Sequence, residues 1–313
     1  SAAASPPTRA MVDVQENEAT NVALTIADLK RPLSNTCAEK VNSALEVPPN
    51  DIVVVVPYCD KNKTEINLTG ADFKRLHKTE GVKWVNDSIM AVVMKWLCKC
   101  TRDNNTMGVS NRRIHFFSPS FAQHVMEGRG NTSRAMLNEL QEEITTFDEL
   151  CVPVNIGNTH WVSLKVFPKE ARIEHSDSYG CEGERYLSLF EDFFTTELER
   201  EVTVTQRVTA RQHNAYDCGL FVAAKAYCDA EGLSPVVSFA EDDMGNIRDQ
   251  VAHLLLCLGG GKVSLTPMPS LVTPSTDGAN ASMKDDALDD SDHDYHDNSD
   301  VCNNSDDDDD NDD

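Results

Sequence analysis

The chain of 313 residues carries a net charge of −24, and 40% of its residues are hydrophobic. A chain of this length and apolar content can bury the core of one large domain or two small ones. Its ten cysteines lack the spacing of a disulfide framework, no secretory apolar segment lies near its start, and no apolar run approaches the roughly 20 residues of a membrane span. We therefore expect a protein of a reducing compartment, nuclear or cytoplasmic, that is neither secreted nor inserted in a membrane.

The two ends of the sequence differ in composition from its middle. Residues 1–47 are small, polar and interrupted by proline, which indicates a flexible N-terminal arm with one short helix near residues 19–29. Residues 259–313 are interpreted as a disordered acidic tail, because 15 Asp and no Lys or Arg occur from residue 285 onward. That stretch carries −15, which leaves −9 for residues 1–284. The tail either solubilises the chain, docks basic partner proteins or inhibits the chain by covering a basic surface.

The region between these ends, residues 48–258, is expected to fold as one domain. β-Branched residues predict a strand at 52–56, and a short strand at 66–68 and a helical turn at 71–76 follow. Asn86 is the expected N-cap of a helix that runs to about residue 100. Next come a strand at 113–117, a helix at 119–126, a helical stretch at 133–150 and a strand at 151–155.

Strands and helices alternate again in the second half of this domain. Val162, Leu164 and Val166 form one face of a strand at 160–167, and a shorter segment at 171–177 follows. The remaining elements are a helix at 186–198, an extended segment at 202–208, an apolar helix after Cys218 and an amphipathic helix at 244–258. Helices packed around a mixed sheet predict an α+β fold.

Cys218 lies directly before the apolar run and is the candidate nucleophile. A thiol at a helix N-terminus has a lowered pKa, because free backbone N–H groups and the positive end of the macrodipole favour the thiolate. Gln212, six residues upstream, carries N–H donors of the kind that stabilise the oxyanion formed when a nucleophile attacks a carbonyl. This arrangement predicts acyl transfer.

A nucleophilic cysteine needs a base, and the base needs an orienting group. If the strand at 160–167 and the segment at 171–177 form a hairpin that turns about Pro168 and Lys169, His160 faces Asp177. Directly opposed residues have Cβ atoms roughly 4.5–5.5 Å apart, which suits a carboxylate that accepts the imidazole N–H. A slip of two residues would leave the pair diagonal. His175 is the competing base, but it lies on the same strand as Asp177 and is less well placed.

These motifs occur in an order that resembles a known family. The order is His160-Trp161, then Asp177-Ser178, then Gln212 through Cys218-Gly219. It resembles the ubiquitin-like-protein-specific proteases, the SUMO or sentrin proteases, of the papain-like superfamily. Upstream, Trp84-Val85-Asn86-Asp87 resembles the family's Trp-Leu-Asn-Asp motif, and the resemblance covers roughly residues 50 to 257.

The resemblance implies a papain-like α+β fold and a role for each matching residue. Cys218 would be the nucleophile, His160 the general base and acid, Asp177 its orienter and Gln212 an oxyanion donor. Two departures occur: Val85 replaces the usual Leu, and Ala215 stands where the family commonly has Gly, a change that can alter the turn before Cys218.

The same resemblance implies how a substrate binds. Trp84 and Trp161 would form the lid and floor of a narrow tunnel that admits a di-glycine tail, and Asp87 would contact the modifier. A thiolate mechanism requires neither a metal nor an organic cofactor. The expected partners are a ubiquitin-like modifier and its conjugates, with no direct contact to nucleic acid or membrane.

Four functions are compared on this basis. The first is a thiol protease and isopeptidase that cleaves after the terminal Gly-Gly of a modifier, with SUMO preferred because that specificity is commonest in the family. The second is the same enzyme acting on another ubiquitin-like protein. The third is an acetyltransferase of the related bacterial-effector group, which should lack the Trp84 and Trp161 pair. The fourth is an inactive modifier-binding protein, against which the complete set of catalytic residues argues.

Overall fold

A computed structural model of the chain describes residues 25–60, 63–78, 83–108, 110–181 and 183–259. Within these residues the α-helices are α1 (Ile26–Leu29), α2 (Asn35–Leu45), α3 (Gly70–Lys74), α4 (Asp87–Thr106), α5 (Pro119–Met126), α6 (Gly130–Asn138), α7 (Glu184–Leu198), α8 (Cys218–Glu231), α9 (Pro235–Ser238) and α10 (Met244–Gly259). The strands are β1 (Ile52–Asp60), β2 (Lys63–Thr69), β3 (Ile114–Phe116), β4 (Glu149–Ile156), β5 (His160–Phe167), β6 (Arg172–Ser176) and β7 (Thr203–Gln206). None of the helices in this part of the chain is long and apolar enough to cross a membrane.

The central sheet is mixed and has the strand order β3-β4-β5-β6-β7. Its outer pairs, β3 with β4 and β6 with β7, are parallel, whereas β4, β5 and β6 are antiparallel neighbours. Strands β1 and β2 form a separate antiparallel hairpin. Together with the helices this arrangement is an α+β fold, as the sequence predicts.

Helices cover both faces of the central sheet. Val162, Leu164 and Val166 of β5 pack in a core with apolar residues of α5 and α7. Trp161 points into the other core, which holds apolar residues of α4, α8 and α10. The alternation along β5 thus separates two cores, and α8 lies against the face of the sheet that carries Trp161.

The predicted N-terminal arm requires a correction. Helix α1 is capped by Thr25 and α2 by Ser34. Leu29 of α1 and Ala44 of α2 are fully buried in the core that contains α8 and α10. Residues 25–47 therefore belong to the folded domain. Their few apolar side chains are sufficient to hold these short helices against the core, because they fall on one side of each helix. Residues 1–24 and 260–313 lie outside the described residues, with most of the predicted arm and tail.

The helical stretch expected at 133–150 is also shorter than predicted. Helix α6 ends at Asn138, Gln141 adopts a left-handed φ of 57°, and only a 3₁₀ turn at Ile144–Thr146 precedes β4. Glu149 and Leu150 already belong to β4, where they pair with β3 and β5. Pairing in the sheet overrides the local helical pattern of this segment.

Candidate active site

Cys218 is the first residue of α8 and is buried, with 1% of its surface exposed. The backbone carbonyl of Asp217 accepts the first helical hydrogen bonds, from the N–H groups of Leu220 and Phe221 at 2.8 and 3.0 Å. The thiol therefore lies at a helix N-terminus, as the sequence predicts.

Gly219 allows the nucleophile to lie close to the neighbouring elements. A Cβ atom at this position would lie 2.7 Å from Cβ of Val85 and 3.1 Å from Cδ1 of Trp161. Real side chains do not approach so closely, and so only glycine lets α8 begin against both residues. The residue after the thiol thus fixes how closely the motif at 84–87 approaches Cys218.

His160 and Asp177 form the expected pair, although the predicted register is wrong. His160 Nε2 lies 3.0 Å from Asp177 Oδ1. The ladder between β5 and β6 pairs Phe167 with Arg172 and ends with Ser163 opposite Ser176, because four residues rather than two form the turn. Asp177 follows the end of β6 and reaches His160 diagonally, which the length of the two side chains permits.

The electrostatic surroundings of this pair favour a charged imidazole. Burial disfavours the imidazolium, but hydrogen bonds with Asp177 and Cys218 outweigh it and raise the pKa of His160 to about 9. Burial would likewise raise the pKa of Asp177, yet its hydrogen bonds from His160 and from the Tyr179 N–H hold that pKa below its ordinary value. Because Nε2 of His160 binds Asp177, its buried Nδ1 is the nitrogen available to the Cys218 thiol.

His175, the competing base, is occupied elsewhere. Its Nδ1 lies 2.7 Å from Gln206 Oε1, and the Tyr186 hydroxyl lies 2.6 Å from its Nε2. Burial is the main cause that holds the pKa of His175 below its ordinary value. Both ring nitrogens are bound by neutral groups, and so this histidine is a structural residue of the core.

Gln212 is buried beside the site, and its side-chain amide is held at both ends. Its Oε1 accepts a hydrogen bond from Ser178 Oγ at 2.5 Å, and its Nε2 donates to the Asn214 carbonyl at 2.8 Å. Gln212 also interacts with the Tyr179 hydroxyl. These contacts orient the amide, and its role as an oxyanion donor stays a prediction.

The two tryptophans are tied to the loops around the nucleophile. Trp161 is buried and donates from Nε1 to the Val85 carbonyl at 2.7 Å. Trp84 is partly exposed and donates from Nε1 to the Ala215 carbonyl at 2.8 Å. Ala215 is exposed and has no positive φ, so the turn before Cys218 accepts alanine without strain.

Asp87 lies at the first turn of α4, as the motif predicts. Asn86 caps this helix by accepting a hydrogen bond from the Ile89 N–H at 3.1 Å. The Asp87 carboxylate is exposed and accepts a hydrogen bond from Asn155 Nδ2 at 2.9 Å. Asp87 is thus exposed on the surface, and its contact with a modifier stays a prediction.

Tyr179 belongs to the site but was not predicted. Its backbone N–H donates to Asp177 Oδ1 at 2.7 Å, and its hydroxyl donates to the Asn214 carbonyl at 2.7 Å. Its ring centroid lies 5.0 Å from that of His160. Tyr179 therefore connects the His160–Asp177 pair to the loop before Cys218. Its position two residues after Asp177 is the feature of the sequence that could have predicted its place in the site.

The region that contains this site matches a known protein family. The catalytic-domain profile of the Ulp1 protease family, described as its C-terminal catalytic domain, matches residues 83–257, which is more than half of the chain. The chain belongs to the Ulp1 protease family. The matched segment contains all seven residues selected from the sequence, and the domain is a cysteine protease domain.

Curated relatives of this family member are distant. Ubiquitin-like-specific protease 1 of Saccharomyces cerevisiae is 26% identical over 208 residues, which cover 62% of this chain and 30% of the yeast protein. A putative ubiquitin-like-specific protease 1B of Arabidopsis thaliana is 24% identical over 245 residues, covering 73% of this chain and 68% of the plant protein. The chain thus spans less than a third of the length of the yeast relative.

Solved structures of Ulp1 domains share the fold. The Ulp1-like SUMO protease catalytic domain of Chaetomium thermophilum has a TM-score of 0.61 and 21% identity, and the match covers 76% of this chain and 95% of that domain. The C-terminal Ulp1 protease domain in complex with Smt3, the yeast ortholog of SUMO, has a TM-score of 0.56 and 21% identity, covering 73% and 97%. At this identity the likeness establishes the fold alone.

Proposed function

We propose that the protein is a thiol protease and isopeptidase that cleaves after the C-terminal Gly-Gly of a ubiquitin-like modifier, both to mature the modifier and to release it from conjugates. SUMO is the preferred modifier, because the related structures act on or bind it. The arrangement of Cys218 at a helix start beside the His160–Asp177 pair is the observation that carries this proposal.

The first half of the reaction follows from the protonation state of His160. With a pKa raised to about 9, the imidazole of His160 carries a proton at neutral pH and can pair with the nucleophile in its thiolate form. The thiolate attacks the glycine carbonyl, a C–S bond forms, and the carbonyl electron pair moves to the oxygen. When the intermediate collapses, the C–N bond breaks and His160 gives its proton to the leaving amine.

The second half releases the modifier. Neutral His160 takes a proton from water, and the resulting hydroxide attacks the thioester carbonyl. The C–S bond then breaks, which regenerates the Cys218 thiolate and leaves a free C-terminal glycine. A nucleophile of this kind must stay reduced, so action in the nucleus or cytoplasm is part of the proposal.

The tunnel accounts for the preference for glycine. Trp84, Trp161 and Gly219 lie around the nucleophile and are held by hydrogen bonds and close packing. A slot between these walls that is sized to backbone leaves no room for a methyl group. A modifier that ends in Gly-Gly should therefore be processed, and the same modifier ending in Ala-Ala should not. Gel electrophoresis measures the cleavage of both tails. Equal cleavage of the two tails would contradict the tunnel.

A panel of modifiers with C-terminal electrophiles tests both the chemistry and the substrate. The modifier that becomes covalently attached identifies the substrate, and peptide mass spectrometry should find the adduct on Cys218. Cys218→Ser should lose labelling and cleavage while it still binds the modifier, because a serine hydroxyl stays protonated beside the same base. Labelling of another cysteine in the wild-type protein would overturn the assignment.

An acetyltransferase on the same site is disfavoured by the two tryptophans. Trp84 donates to the Ala215 carbonyl, three residues before Cys218, and Trp161 donates to the Val85 carbonyl, which supports their assignment as tunnel walls. Transfer of an acetyl group from a thioester donor in the absence of any modifier would favour this alternative instead.

We further propose that residues 259–313 act through charge, by docking basic proteins or by competing for a basic surface. The 15 aspartates from residue 285 onward contain no internal cation to neutralise them. Removing the residues after about residue 258 should leave the melting temperature nearly unchanged. Any effect on the cleavage rate should fade as salt rises, since the screening length is about 8 Å at physiological ionic strength. A large loss of thermal stability, or a rate difference independent of salt, would contradict this role.

A further inference from the structure

Arg248 of α10 is a buried cation beside the nucleophile. Its guanidinium is 3% exposed and pairs with the Asp217 carboxylate, which is 6% exposed and directly precedes Cys218. The same guanidinium donates to the carbonyl of Arg75 at 2.8 Å and to that of Lys83 at 3.1 Å. Lys83 directly precedes Trp84, and so one side chain joins the segments that carry the tunnel wall and the thiol.

Asp217 lies at the start of α8 with a helical backbone conformation and does not cap the helix. Aspartate is a preferred N-cap residue because its carboxylate accepts hydrogen bonds from the free N–H groups of the first turn. Asp217 occupies the N-cap position of α8, yet its side chain makes no capping hydrogen bond. Its Oδ1 is bound to Arg248, and its Oδ2 accepts a hydrogen bond from Asn214 Nδ2 at 2.8 Å. Both carboxylate oxygens thus have partners other than the N–H groups of the first turn, which begins at the thiol.

Asn214 is itself held in place, which makes the arrangement rigid. Its Oδ1 accepts the backbone N–H groups of Tyr216 and Asp217 at 3.1 and 3.0 Å. Its Nδ2 also donates to Glu241 Oε1 at 2.6 Å. Asn214 is a neutral partner, and so Arg248 alone of these contacts neutralises the negative charge of Asp217.

We infer that Arg248 is a positioning residue that keeps the Asp217 carboxylate away from the N-terminus of α8, so that the helix start stabilises the Cys218 thiolate. A carboxylate that capped this helix would place a second negative charge beside the thiolate and would occupy the donors that stabilise it. The inference rests on the proposed role of Cys218 as nucleophile, and on no particular modifier.

Alkylation of Cys218 by iodoacetamide tests this role without a protein substrate. The rate is measured at Cys218 by peptide mass spectrometry at pH 7, on protein whose folding is checked by circular dichroism. Arg248→Met should react about fivefold more slowly, the size expected of one charge at a helix terminus. The deficit should shrink at high pH, where the thiol of either protein is ionised.

Two further variants separate charge from loss of structure. Adding Asp217→Asn to Arg248→Met removes the released charge and should restore the rate, and Arg248→Lys should react close to the wild-type rate because it keeps the cation. Arg134→Met is the matched control, since it removes an exposed guanidinium that pairs with Glu197 at 2.5 Å. Its rate should not change.

The results distinguish this inference from the proposed function. A wild-type Cys218 that is not labelled by any modifier with a C-terminal electrophile overturns the nucleophile itself, whereas a folded Arg248→Met that iodoacetamide alkylates at the wild-type rate overturns only the role of Arg248. A double variant that stays slow would also overturn that role. If Arg248→Met is too unstable to assay, the other two variants decide: alkylation of either one at a rate fivefold below the wild type overturns the role of Arg248.

Discussion

His160 and His175 lie on neighbouring strands, both near Asp177, but their protonation is opposite. His160 binds the Asp177 carboxylate and lies beside the Cys218 thiol, and its pKa rises to about 9. His175 binds the neutral groups of Gln206 and Tyr186, and burial holds its pKa below the ordinary value.

The difference shows that the hydrogen-bond partner, more than burial, decides which histidine is protonated at neutral pH. Both rings are largely removed from water, which by itself favours the neutral form. Of the two, only His160 has an anionic partner, Asp177, on Nε2, and its Nδ1 is available to the nucleophile. Four predictions test this comparison.

Replacing each histidine by alanine should give the largest difference in kcat/KM between the two sites. We expect His160→Ala to lower kcat/KM for a modifier precursor by about 10⁴-fold or more, because nucleophile activation and amine protonation are both lost. His175→Ala should change it by no more than about threefold per folded molecule. The measurement is cleavage of a Gly-Gly precursor, normalised to folded protein. A larger loss in His175→Ala would reverse the assignment of the base.

Replacing Asp177 by asparagine gives His160 a neutral partner, like those of His175. We expect kcat/KM at pH 7 to fall about a hundredfold and the pKa of His160 to drop, because asparagine can accept the N–H but carries no charge. Steady-state kinetics and an NMR titration of the imidazole measure the two effects. An unchanged pKa of His160 would show that the carboxylate does not set its protonation.

The two histidines should affect stability in opposite pH ranges. The pKa of His160 is raised on folding, so its stabilisation is complete below about pH 6.5 and is lost as pH rises through about 9. The pKa of His175 is lowered, so stability should be lost as pH falls below 6.5. We expect His160→Gln to remove on the order of 3 kcal/mol of the alkaline dependence.

Urea unfolding from pH 5 to 10 measures these dependences for the wild type and both glutamine variants. His175→Gln is the matched control for the alkaline range, where it should behave as the wild type does. If His160→Gln retains the alkaline loss of stability, another group causes it.

The smallest effect is expected at Tyr179. Tyr179→Phe removes the hydrogen bond to the Asn214 carbonyl but keeps the ring against His160 and the backbone N–H to Asp177. We expect kcat/KM to fall about threefold to tenfold, which corresponds to one net hydrogen bond. Tyr179→Ala should cost more, because the ring is lost as well. Equal losses in the two variants would assign the whole effect to the hydroxyl.

Much of the architecture around the site was predictable from local sequence. The cap at Asn86, the helix that begins at Cys218 and the alternation along β5 are all as expected, because each depends on residues close together in the chain. The sequence does not predict that α1 and α2 are folded. Their few apolar residues stabilise them only by packing against a core formed by distant segments of the chain.

Pairing across the chain was decided by tertiary structure. Glu170 and Ala171 extend the turn after β5 to four residues, and Ala171 takes a positive φ of 50°, which the predicted two-residue turn did not include. His160 and Asp177 still meet because their side chains reach diagonally. Likewise, nothing near Arg248 in the sequence indicates that it binds Asp217. The sequence by itself determined which residue types carry the chemistry, since periodicity and caps are local properties. Their register and partners depend on turn geometry and on packing between distant segments, which no local pattern contains.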